Sequence, residues 1–80
     1  MNTNLISNQI EEYISYKQAL GYQIKIESQE LRRFAAYTLS IGHEGSLTRE
    51  LAFNWVTLNP KYSQWYLARR METIRTFAKY

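Results

Sequence analysis

At 80 residues the chain has room for one small domain, and with 45% apolar against 21% charged residues it can build a core rather than stay disordered. It contains no cysteine, which excludes a disulfide framework and a thiolate metal site. The net charge of +3 is unevenly placed: residues 1–59 carry Lys17, Lys25, Arg32, Arg33 and Arg49 against six acidic side chains, whereas residues 60–80 carry Lys61, Arg69, Arg70, Arg75 and Lys79 against Glu72 alone, a local excess that suits an anionic partner.

The chain opens on Met1-Asn2-Thr3-Asn4, polar and uncharged rather than basic and then apolar, so it does not read as a signal peptide. No apolar run approaches the ~20 residues that span a bilayer. A cytoplasmic chain with no membrane partner is expected. The first helix is expected to start within Asn4–Asn8, where Ser and Asn can cap it, and Asn8 with Glu11 has the spacing of a capping box. Ile6, Ile10, Tyr13 and Leu20 fall on one face, flanked by Ile14 and Tyr16. Lys17 shares that stripe, and its stem can pack while its amine reaches water. Gly21 is placed to end this helix.

A second helix is expected from about Lys25 to Ile41, closed by Gly42. A step of ~100° per residue brings Ile24, Leu31, Phe34, Ala35 and Thr38 together as its core face. The third helix is short, capped by Thr48 with Glu50 in its first turn, and it is lined by Leu51, Trp55 and Leu58. Asn59-Pro60 ends it, because the residue before proline avoids the helical region. The fourth helix begins near Ser63, with Leu67, Met71, Ile74 and Ala78 as an apolar stripe and Phe77 beside it. Four helices without strands predict an all-α fold, a compact bundle with short connections and a single domain over residues 1–80.

The wheels that place the core also place the surface. On the second helix Lys25, Ser28, Gln29, Arg32 and Ala36 share a face that holds cations and short polar groups but no carboxylate. A major-groove surface needs that combination, whereas a surface made only for solubility mixes both signs. On the fourth helix Tyr66, Arg69, Arg70 and Thr73 lie together away from Leu67 and Met71. Tyr62 and Ser63 could offer hydroxyls to phosphate at the start of that helix, and Lys61 adds a charge there. Each cation also has the plainer reading of a solvated helix face. Phe34 and Trp55 read as core, whereas Phe53 and Trp65 fall off the stripes and are free to cover loops or to touch a second domain or a neighbouring protomer.

No catalytic constellation is visible. His43 is the only histidine and lies in an expected loop beside Glu44, so neither a metal site nor a hydrolytic triad can be assembled around it. Glu11 and Glu12 are adjacent on a helix and point to different faces. The three glycines, Gly21, Gly42 and Gly45, are scattered and form no phosphate loop. Neither a cofactor nor catalysis by this chain is expected.

The order Ile10-Glu11-Glu12-Tyr13-Ile14, Leu20-Gly21-Tyr22, Leu31-Arg32-Arg33-Phe34, Leu47-Thr48, Leu51-Ala52, Trp55, Ala68-Arg69-Arg70-Met71 and Ile74-Arg75-Thr76-Phe77-Ala78-Lys79-Tyr80 resembles the N-terminal, SAM-like core-binding domain of tyrosine recombinases, the family of phage integrases, transposon recombinases and chromosome-dimer resolvases. The resemblance spans about residues 8–80. It implies a four-helix SAM-like bundle that forms half of a clamp around double-stranded DNA at a recombination half-site. The other half, a catalytic domain of the same parent protein, would carry the nucleophilic tyrosine. Contacts between protomers of a recombination complex are also implied. So is origin in a mobile element.

In that family the second and fourth helices approach the major groove. The positions that contact DNA map onto Lys25, Ser28, Gln29 and Arg32, and onto Trp65, Tyr66 and Arg69 with Arg70 beside them. The chain departs from the pattern where many members have a Ser or Thr that holds phosphate. Ile26 stands there, so that contact is lost or passes to Gln23 or Lys25. None of the seven tyrosines is expected to be the nucleophile, and the chain alone is not expected to cut DNA. The alternative from a different class is a small helical protein–protein module with Phe53 and Trp65 as anchors, since fold does not dictate function.

Overall fold

A computed structural model describes residues 3–59 and 61–80, and the expected helix break at Pro60 lies outside them. Among the described residues the chain is all-α: α1 spans Leu5–Ala19, α2 Lys25–Ser40, α3 Arg49–Val56 and α4 Gln64–Ala78, with no strand. The helices fall into two units, Met1–Ser46 with α1 and α2, and Leu47–Tyr80 with α3 and α4.

In the first unit the start of α1 is fixed by Asn4, not by the Asn8–Glu11 pair that the sequence suggests. Asn4 Oδ1 accepts from the Ser7 amide at 2.8 Å and the Asn4 amide donates to Ser7 Oγ at 2.8 Å, a reciprocal box with serine in place of the usual Glu or Gln. The other end of the same side chain reaches α2 and the residues after it: Asn4 Nδ2 donates to Thr38 Oγ1 at 3.0 Å and to the carbonyl of His43, past the end of α2, at 3.2 Å. Thr38 is fully buried, and its hydroxyl donates to the Ala35 carbonyl at 2.7 Å, so every polar atom at this junction is used. Arg32 of α2 also meets Glu11 of α1. Residue 4 opposite 38 and residue 11 opposite 32 makes α1 and α2 an antiparallel hairpin.

Both helices of this unit end in the same motif. After α1 the Gly21 amide donates to Gln18 O and the Tyr22 amide to Lys17 O, with Gly21 at φ +87°. After α2 the Gly42 amide donates to Leu39 O and the His43 amide to Thr38 O, with Gly42 at φ +68°. Each glycine takes the left-handed backbone that this double hydrogen bond requires and that a side chain would strain. His43 Nε2 lies 3.1 Å from the Ser46 carbonyl and must carry a proton to bond it.

The buried residues of α1 are Ile6, Ile10, Tyr13 and Ile14, and those of α2 are Ser28, Leu31, Phe34, Ala35 and Thr38. Leu20 and Tyr16 are exposed, contrary to the stripe drawn from the sequence. Leu20 is the C-cap, past the last full turn, where the helical wheel no longer applies. Lys17 is half-buried, with its amine 4.6 Å from the Tyr22 ring centre and 5.7 Å from that of Tyr13.

In the second unit Thr48 caps α3 by accepting from the Leu51 amide at 3.1 Å, and Ser63 caps α4 by accepting from the Tyr66 amide at 3.2 Å. The core side of α3 is Leu51, Ala52, Trp55 and Val56, while Leu58 beyond its end is exposed. Residues Arg70, Ile74 and Phe77 are the buried ones of α4. The sequence predicts a stripe of Leu67, Met71, Ile74 and Ala78. Leu67 and Met71 are half-buried and Ala78 is exposed, so the packed face of α4 is turned toward Arg70.

Candidate nucleic-acid interface

The two helices expected to face DNA lie in different units, α2 in the first and α4 in the second. On α2, Lys25 and Gln29 are exposed, as expected. Ser28 is not: it is buried, and its hydroxyl donates back to the carbonyls of Ile24 and Lys25. A hydroxyl closed onto its own helix cannot read a base edge, so Ser28 leaves the candidate site. Ile24 occupies the N-cap position and supplies no side-chain hydrogen bond, and Ile26 is exposed.

Arg32 is exposed but engaged. Its Nε donates to Glu11 Oε2 at 3.0 Å and its Nη2 to Oε1 at 3.1 Å, a two-pronged pair. The hydrogen bonds hold the Glu11 carboxyl below its ordinary value, outweighing the opposing effect of partial burial, and they raise the guanidinium in turn. The face drawn as free of carboxylates therefore has one, delivered by the neighbouring helix. Arg33 is likewise occupied, by Glu30 at 3.0 Å one turn earlier.

On α4, Arg69 and Arg70 separate. Arg70 is 9% exposed, and its guanidinium carbon lies 4.2 Å from the Trp55 ring centre and 5.2 Å from those of Tyr62 and Tyr66. Tyr62 and Tyr66 lean on each other with ring centres 4.7 Å apart. The negative ring faces stabilise the buried cation, and Arg70 becomes part of the core that joins α3, the following loop and α4. It is not a surface contact, which corrects the expectation for that residue. Tyr66 is half-buried in the same cluster, and Thr73 is half-buried with its hydroxyl donating to the Arg69 carbonyl at 3.1 Å.

Arg69 is exposed, and its guanidinium carbon stands 5.6 Å from the centre of the Trp65 ring one turn earlier. Trp65 is 69% exposed, in keeping with its place off the core stripe, and Phe53 is exposed as well. Lys61 is exposed just before α4, and its backbone amide donates to Asn59 Oδ1 at 3.0 Å. Ser63 is exposed, but its hydroxyl already accepts as the cap of α4. Further along α4, Arg75 pairs loosely with Glu72 at 3.5 Å.

Among the described residues, Arg49, Lys61, Arg69 and Lys79 of the second unit have no carboxylate partner, whereas Arg32 and Arg33 of the first are both paired. No group of three or more His, Cys, Asp or Glu side chains comes together there to hold a metal ion. Among the described residues, no helix is long and apolar enough to cross a membrane. Comparison with known proteins yields no matching family model, no matching curated protein and no matching solved structure.

Proposed function

We propose that this chain binds double-stranded DNA, and that it does so as the core-binding half of a tyrosine-recombinase clamp in a cytoplasmic setting. The observation that carries the binding is the charge of the Leu47–Tyr80 unit. Its six cations face only Glu50 and Glu72, and four of them lack a carboxylate partner among the described residues. Such cations release counterions from DNA without first breaking an ion pair. Arg69, Lys61 and the exposed Trp65 form the primary contact, and Lys25 and Gln29 of α2 form a second one. The recombinase assignment adds a SAM-like bundle, a catalytic domain as the natural partner and a recombination half-site as the target. It rests on the order of motifs from Ile10 to Tyr80.

The test is equilibrium binding of a fluorescent duplex across a salt series. Wild-type chain should bind at low salt and weaken steeply as salt rises, and Lys61→Ala with Arg69→Ala should reduce the salt slope by about two phosphate contacts. Binding that ignores salt, or a double variant that matches wild type, would overturn the assignment. An apolar helical partner on Phe53 would then become the better reading.

A further inference from the structure

We propose that Trp65, braced by Arg69, is a stacking platform for an unpaired nucleobase, such as one exposed at a frayed end of the DNA that the second unit holds. This inference rests on the nucleic-acid reading above and gives it a specific ligand geometry. The Trp65 ring is 69% exposed in the first turn of a capped helix, and the Arg69 guanidinium lies 5.6 Å from its centre. The cation comes from the same helix one turn on, so the pair is organised before any ligand arrives and little side-chain freedom is lost on binding.

The other tryptophan is a contrast within the same chain. Trp55 is buried, with the Arg70 cation against its ring, and serves the core. Trp65 has the same kind of cation contact but keeps its surface open to solvent. Lys61 lies four residues before it in sequence, in the turn ahead of α4, and neither Lys61 nor Arg69 has a carboxylate partner among the described residues. An exposed aromatic beside an unpaired arginine, on a unit rich in cations, matches the composition of sequence-tolerant single-strand sites, where the charges hold the backbone and the ring takes a base. Bases inside an intact duplex are already stacked on each other, so the ring gains most where a base is unpaired.

The experiment compares a short oligothymidylate, an abasic strand of the same length and charge, and a blunt duplex, each carrying a fluorescent label and titrated at low salt while the label's anisotropy and the tryptophan emission are followed. The oligothymidylate should quench the emission and bind about tenfold more tightly than the abasic strand, the effect of one stacked base. Trp65→Leu should bind both strands equally, at the abasic level, with helical circular dichroism unchanged. Equal binding of the two strands by wild type, or a Trp65→Leu variant that keeps the preference, would overturn the stacking role. If the duplex binds in either case, the DNA reading survives without the inference. If neither strand nor duplex binds at low salt, the DNA reading fails and the inference falls with it.

Discussion

Arg69 and Arg70 are neighbours in sequence with opposite surroundings, because a step of ~100° turns one toward water and the other toward Trp55, Tyr62 and Tyr66. Truncating Arg70 removes a buried stem and strands the three rings around a void. Arg70→Ala should therefore destabilise the chain by about 2–4 kcal/mol in urea denaturation. Arg69→Ala should stay within about 0.5 kcal/mol of wild type and instead weaken DNA binding. The reverse ranking would mean that the packed face of α4 is misplaced.

Glu11 offers a second test on single residues. Both side chains of its pair with Arg32 are more than half exposed, so the pair contributes only about 0.2–1 kcal/mol. The carboxyl is held below its ordinary value, so the contribution is complete at neutral pH and is lost as pH falls through the lowered value. The small stability advantage of wild type over Glu11→Gln should thus disappear once acidification carries the pH below that lowered value. A difference independent of pH would show that the pair does not form. The same substitution frees Arg32, and at neutral pH and low salt Glu11→Gln should bind duplex DNA more tightly, with one more phosphate contact in its salt slope.

At the scale of the helices, ends were more legible in the sequence than faces. Thr48, Ser63, Gly21 and Gly42 mark their helix ends because capping is local chemistry within four residues. Asn4 was only one of several candidates, because what selects it is distant: Thr38 and the His43 carbonyl take its amide. Asn4→Ala should cost about 1–2 kcal/mol, the upper range for a cap, since it removes the tie between hairpin ends as well. A loss of a few tenths would reduce Asn4 to an ordinary cap.

An apolar wheel misplaces the face of α4 because it ranks an arginine as surface. The signal that could have found it was the i, i+4, i+7 run Arg70, Ile74, Phe77, with Tyr66 one turn before and Tyr62 and Trp55 to receive the charge. On α2, Ser28 and Arg32 were drawn on an open polar face. One turned out to bond its own helix and the other a carboxylate from α1, a partner that no wheel of α2 alone can show.

At the scale of the whole chain, the charge asymmetry read from the sequence is sharpened by pairing. The first unit neutralises Arg32 and Arg33 internally, and the second leaves most of its cations open. DNA binding would therefore centre on the second unit, with α2 adding Lys25 and Gln29. The most direct measurement is an NMR titration of the isotopically labelled chain with a short duplex, first at low and then at moderate salt. The expected result is a set of amide shifts concentrated at Lys61–Arg69, with smaller ones near Lys25–Gln29, that reverse as salt is added. An absence of shifts at low salt, or shifts that persist at moderate salt and centre on Phe53, would contradict DNA binding and point to an apolar protein partner.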